Sequence, residues 1–288
     1  MLTPIKTLLS SIVDYAGLFP PAKLDLPQAM TQYSEQRTAA YEWMLGTFVL
    51  PSSRLDDLEK LLPQFTLPQW SLSLILSQNW QADLEKALTL QNPKITITAL
   101  EFPPLSPTEI EKALHQLPTK INAFFEIPFS EEITPFLAIL KNPSASAKLR
   151  TGGLTSNAFP SAAKLGEFIY ALGKEKVSFK ATAGLHHPLR SEQPLTPEPL
   201  LVKMHGFLNL ALFAALVYGQ KASLEAGINL LEETHLDHFQ FLTDRIFWRD
   251  YELSLPEIEQ SRLSFFQSFG SCSLSEPIED LKQLQLIS

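Results

Sequence analysis

Cysteine is almost missing from this chain. A single one, Cys272, stands among 288 residues, which excludes an intrachain disulfide and any zinc site built from several thiolates, and agrees with a reducing compartment. Basic runs are missing too. Lys and Arg total 23 against 31 Asp and Glu, a net charge of −8, so no cationic track exists to follow a phosphodiester backbone and nucleic acid is not an expected partner. The longest apolar run, Phe207 to Tyr218, is interrupted by Asn209 and falls short of the ~20 residues a membrane span requires, so it reads as a buried helix. Lys6, Leu8 and Leu9 hint at a signal sequence, but Asp14 breaks the stretch and no cleavage site of small residues follows. A cytoplasmic protein without a membrane partner is expected.

What the chain does hold is 45% hydrophobic residues, enough for one large core. Strand patterns at Trp43–Leu50, Trp70–Leu76, Lys94–Phe102, Ile121–Ile127, Ala147–Thr151, Val177–Ala183 and Phe269–Ser273 alternate with helix patterns such as Leu55–Leu62, Ala82–Leu90, Pro107–Leu117, Ala158–Gly173 and Pro256–Gln267. Repeated strand then helix is the signature of parallel βα units, and the near-continuous apolar strands call for cover on both faces. The expected fold is a single α/β domain of (β/α)8 TIM-barrel type, with an open doubly wound sheet as the alternative. It consists of an N-terminal helical segment, 1–42, and a barrel, 43–288, with an inserted loop and hairpin region near 185–255. The missing strand is expected in one half of that hairpin, Phe239–Leu242 or Ile246–Trp248. The proline-rich stretch Pro188–Pro199 is a candidate lid.

Two segments carry the chemistry: Lys148-Leu149-Arg150-Thr151-Gly152-Gly153 and Phe179-Lys180-Ala181-Thr182-Ala183-Gly184. Each reads as a strand running into a glycine turn. Alternate side chains of a strand share a face, so Lys148 lies with Arg150 and Lys180 with Thr182. In a barrel those positions sit at the carboxyl ends of strands, where such barrels keep their active sites. Two inward lysines on strands ~4.8 Å apart can depress one pKa, and a neutral lysine attacks carbonyls. Arg150 would hold a carboxylate or phosphate through its planar fork. Glu101 and Glu126 end two strands with the same pattern of Glu, apolar residue, Pro. A carboxylate in such an apolar strand is paired, protonated or turned to solvent, and Lys180 or Arg150 would be its partner.

A third cluster, Gly184-Leu185-His186-His187-Pro188-Leu189-Arg190, offers imidazoles for proton transfer and Arg190 as a second anion holder. With His205 and Glu126, His186 and His187 are the alternative ligands of a divalent metal, although the spacing matches no known zinc motif such as His-Glu-x-x-His. No cofactor is otherwise expected. Phe269-Gly270-Ser271-Cys272-Ser273 leads from the last strand into a helix and offers backbone N–H groups and hydroxyls to an anion. Glu276 and Glu279 bring opposing charge there. Cys272 has no evident partner and reads as a buried small residue.

In order and spacing the lysine segments and Gly270-Ser271-Cys272-Ser273 resemble the strand-end motifs of class I aldolase barrels of the deoxyribose-phosphate aldolase type. The resemblance implies that Lys148 forms a Schiff base, that Lys180 perturbs it, and that Gly270 with Ser271 helps to hold phosphate. The chain departs from that pattern in the His186 to Arg190 segment and in Arg150, which stands where the family has a small polar residue; Glu101 is the candidate acidic partner. Taken whole, the chain also resembles a family of bacterial proteins to which no activity is assigned. The expected function is therefore a lyase of aldolase type acting on a small anionic carbonyl compound. A metal-dependent hydrolase or isomerase, and a non-catalytic binding or scaffold barrel, are the alternatives. The last of these expects the lysines and histidines to be scattered. Oligomeric state is not legible.

Overall fold

Eight short segments, most of their residues buried, pair in parallel into a closed ring in the computed structural model, which describes residues 1–118, 121–195 and 200–288. In chain order the strands are β1 (Val13–Tyr15), β2 (Leu45–Pro51), β3 (Trp70–Ile75), β4 (Ile95–Phe102), β5 (Asn122–Glu126), β6 (Ala145–Arg150), β7 (Phe179–Thr182) and β8 (Phe266–Ser271). Each strand pairs with its neighbours in sequence, and β1 closes the ring against β8 through Val13 opposite Phe269, Asp14 opposite Gly270 and Tyr15 opposite Ser271. The fold is thus an eight-stranded parallel α/β barrel. Both faces of the strands are covered, which is why sequence alternation is faint and the apolar runs nearly continuous.

Six strands lie where the sequence puts them, and a seventh, the last, overlaps its expected range. The eighth does not come from the hairpin region. Phe239–Phe241 and Arg245–Trp248 instead join Tyr251–Ser254 in a separate antiparallel sheet outside the ring. The ring is completed by β1, inside the segment 1–42 expected to be a helical extension. The first helix ends at Leu9, so Val13, Asp14 and Tyr15 are free to extend. The last strand is also displaced: the helix before it stops at Ser264 and β8 runs from Phe266 to Ser271, where pairing with β1 and β7 satisfies its backbone.

The excursion between β7 and β8 holds Phe207–Tyr218, apolar all round and buried between Ala162–Lys174, Leu224–Leu231 and Leu255–Ser264, as expected of a helix without a polar face. The candidate lid is a hairpin, Ser191–Leu195 paired with Leu200–Met204; its residues 196–199 lie outside the described residues. Among the described residues, no helix is long and apolar enough to cross a membrane.

Candidate active site

At the carboxyl ends of the strands lies a cavity of about 680 Å³. Its rim includes residues within three positions of strand ends, such as Ala16 after β1, Leu76 after β3, Pro103 after β4, Gly153 after β6, Gly184 after β7 and Cys272 after β8. Glu101, Glu126, Lys148, Arg150, His186 and His187 all line it. The scattered arrangement expected of a non-catalytic barrel is therefore not the one observed.

Strand register explains how the charges meet. Glu126 of β5 is level with Lys148 of β6, and Lys148 is level with Lys180 of β7. The result is a chain of alternating charge across the barrel interior. Lys180 Nζ lies 2.6 Å from Asp14 Oδ2 and 2.7 Å from Glu101 Oε1. Lys148 Nζ lies 2.9 Å from Glu126 Oε2 and 3.7 Å from Glu101 Oε2. Glu101 also accepts a hydrogen bond from Ser73 Oγ (2.8 Å), and Asp14 accepts from Ser268 Oγ (2.6 Å), the Thr47 amide (2.9 Å) and Thr47 Oγ1 (2.8 Å). Such saturation is what makes several buried charges tolerable.

The two lysines are not equivalent. Lys180 is fully buried and absent from the cavity wall, and its Nζ lies 5.1 Å from the centre of the Phe124 ring. Burial works against its ammonium, yet Asp14 and Glu101 outweigh that cost and raise its pKa above the ordinary lysine value. Proximity of two lysines was expected to depress one pKa; the carboxylates between them reverse the sign for Lys180. Its partners are Asp14 and Glu101 and not Glu126, which belongs to Lys148. Burial alone would lift the Glu101 carboxyl, but Lys180, Lys148 and Ser73 hold it at about 2, so it is a fixed anion. Lys148 is the one lysine among the residues lining the cavity.

Above this floor stands Arg150, two residues along β6 from Lys148. Its Nε donates to the Gly152 carbonyl at 3.2 Å, which leaves the terminal amino groups to the cavity. Gly184 takes φ +73°, and a side chain on either Gly152 or Gly184 would strike the other's backbone within 3 Å. Glycines are needed there so that the turns after β6 and β7 can touch. His186 Nδ1 lies 3.0 Å from Glu276 Oε2, and His187 Nδ1 2.6 Å from Asp280 Oδ2, leaving each Nε2 for other partners. The His186 hydrogen bond holds Glu276 below the usual carboxylate range.

Other expected site residues lie elsewhere. Arg190 is not part of the cavity wall: its Nη1 donates to His205 Nδ1 at 3.2 Å and its amide to Asn209 Oδ1. His205 is fully buried, donates from Nε2 to the Pro160 carbonyl at 2.8 Å, and has its pKa lowered to about 4, chiefly by burial. It is a neutral strut, removed from His186 and His187. Among the described residues no three His, Cys, Asp or Glu side chains converge in a way that could hold a metal ion. Gly270 lines the cavity but Ser271 does not; the Ser271 hydroxyl turns to the Ser273 amide. Burial pushes the Cys272 thiol up, away from thiolate.

The His205 geometry gives a pH dependence with a definite sign. The unfolded imidazole protonates near 6.5 and the folded one only near 4, so the unfolded chain binds the extra proton between those values. Its contribution to stability is complete above pH 6.5 and lost as pH falls to about 4. Urea melts of a His205→Gln variant should show a shallower decline over that interval than the parent.

Asp14, Thr47, Ser73 and Ser268 were not singled out in the sequence. Small polar residues do alternate with apolar ones in Trp70-Ser71-Leu72-Ser73-Leu74, and Ser268 is two residues from Gly270, on one face of the strand. Asp14 carries no such signal. No protein-family model, curated protein or solved structure matches the chain, so a functional reading starts from this constellation of charges at the mouth of a parallel barrel.

Proposed function

We propose that the cavity is the active site of a lyase of aldolase type, in which Lys148 condenses with the carbonyl of a small anionic substrate. The observation that carries this reading is the division of labour between the lysines. Lys180 is locked as a cation by two carboxylates, whereas Lys148 faces the cavity with Glu126 at 2.9 Å. Glu126 is placed to take a proton from Lys148, and the free amine attacks the carbonyl carbon. The carbinolamine then loses its hydroxyl as water, with the proton returned by Glu126, to leave an iminium on Lys148. That cation draws electrons from the adjacent carbon–carbon or carbon–hydrogen bond as it breaks. His186 and His187, each oriented at Nδ1 by a carboxylate, would exchange protons with the fragments, and Arg150 would hold the acid group.

Trapping tests the reading directly. The protein is incubated with pyruvate, phenylpyruvate or glyceraldehyde 3-phosphate, reduced with borohydride and mapped by peptide mass spectrometry. The expected adduct lies on Lys148. An adduct confined to Lys180, or none with any of the three, overturns the proposal.

A further inference from the structure

The part of the cavity wall that follows β1, β3 and β4 has an unusual composition. Phe19, Pro20, Pro21, Leu76, Pro103 and Pro104 form it, and none offers a side-chain hydrogen bond. Four of the six are prolines, so most of their backbone N–H donors are missing as well. A polyol bound above Lys148 would turn hydroxyls against this surface and lose their water without compensation. An apolar body would lose nothing there and would gain from burial. The volume of about 680 Å³ is within the range of pockets that enclose a whole ligand with a bulky group, and far exceeds the need of a bare three-carbon oxo compound.

The charged side sets a second condition. Arg150 is the one arginine among the lining residues, and its Nε is committed to Gly152. The imidazoles of His186 and His187, also in the cavity wall, are each held at Nδ1 by a carboxylate, Glu276 and Asp280. A single guanidinium fork, with no second arginine among the described residues of the wall, matches one carboxylate better than a dianionic phosphate. The hydroxyl of Ser271, implied by the aldolase resemblance as part of a phosphate site, faces away.

We infer that the ligand of this cavity is an oxo monocarboxylate with an apolar body: the acid on Arg150, the oxo carbon at Lys148 and the apolar part against the proline wall. Only the placement of the oxo group rests on the Schiff-base reading; the acid and the apolar body do not.

Binding of compounds without a reactive carbonyl separates the two claims. Titration calorimetry of the whole protein with 3-phenylpropionate, propionate and glycerol 3-phosphate should give 3-phenylpropionate at least about tenfold tighter than the other two, as burial of a phenyl group predicts. An Arg150→Gln variant should bind 3-phenylpropionate about tenfold more weakly, the loss expected when a charged hydrogen bond is removed. Glycerol 3-phosphate binding as tightly as 3-phenylpropionate, failure of all three at millimolar concentration, or unchanged affinity in Arg150→Gln overturns the inference. If 3-phenylpropionate binds as expected but none of the three carbonyl compounds leaves an adduct on Lys148, the ligand class stands and the Schiff-base reading falls.

Discussion

A Lys180→Met variant should lose about 3–5 kcal/mol of folding stability, the usual cost of removing one partner from a buried ion pair. Methionine fills similar volume, so the loss is electrostatic in origin and not a cavity effect. Asp14 and Glu101, 5% and 1% exposed, would be left as neighbouring anions with no cation between them. A domain of this kind holds only ~5–15 kcal/mol in total, so the variant should unfold at markedly lower guanidinium. Adding Asp14→Asn to Lys180→Met should recover part of the loss, because one of the stranded charges is then gone. A double-mutant cycle showing that the two changes simply add would mean the pair is not coupled.

Lys148→Met is expected to behave in the opposite way. Its Nζ has one close carboxylate partner at 2.9 Å and a second at 3.7 Å; though only 5% exposed it lines the cavity, and its close partner Glu126 is more exposed than Asp14 or Glu101. Stability should change far less than in Lys180→Met, while the borohydride adduct should vanish with every carbonyl compound. Glu126→Gln should leave the adduct on Lys148 but slow its formation by roughly 10²–10⁴, the usual contribution of a positioned proton acceptor. Equal trapping rates in the parent and Glu126→Gln would assign the proton transfer to another group. These outcomes together would separate two roles that one sequence pattern made look alike: one amine for the fold, the other for the proposed chemistry.

Much of the barrel was legible because the strands bury both faces and the helices one, so apolar runs and helical periodicity alternate along the chain. Glu101, Glu126, Lys148 and Lys180 were legible for a related reason. Charges inside apolar strands need partners, and partners on neighbouring strands lie level with one another. Three things were hidden. β1 spans three residues, too few for any periodicity, and its central Asp14 reads as a breaker when its partner Lys180 is 166 residues away. The sheet formed by Phe239–Phe241, Arg245–Trp248 and Tyr251–Ser254 has the same alternation whether it joins the ring or lies outside it. His205 and Arg190 look like site residues in sequence because they are polar and close to the histidine pair. Only the packing of the excursion turns them toward Pro160 and Asn209.

The hydrogen bond from Ser268 to Asp14 joins residues 254 positions apart and draws together the first and last staves of the ring. During synthesis on the ribosome, Asp14 waits for Lys180, made 166 residues later, and for Ser268, made 254 residues later, before its lid of hydroxyl and ammonium groups can form. Lys180 is likewise made long before β8 arrives to shield it. The nascent chain therefore carries unpaired charges, and the buried ion network is completed in the same event that seals the cylinder.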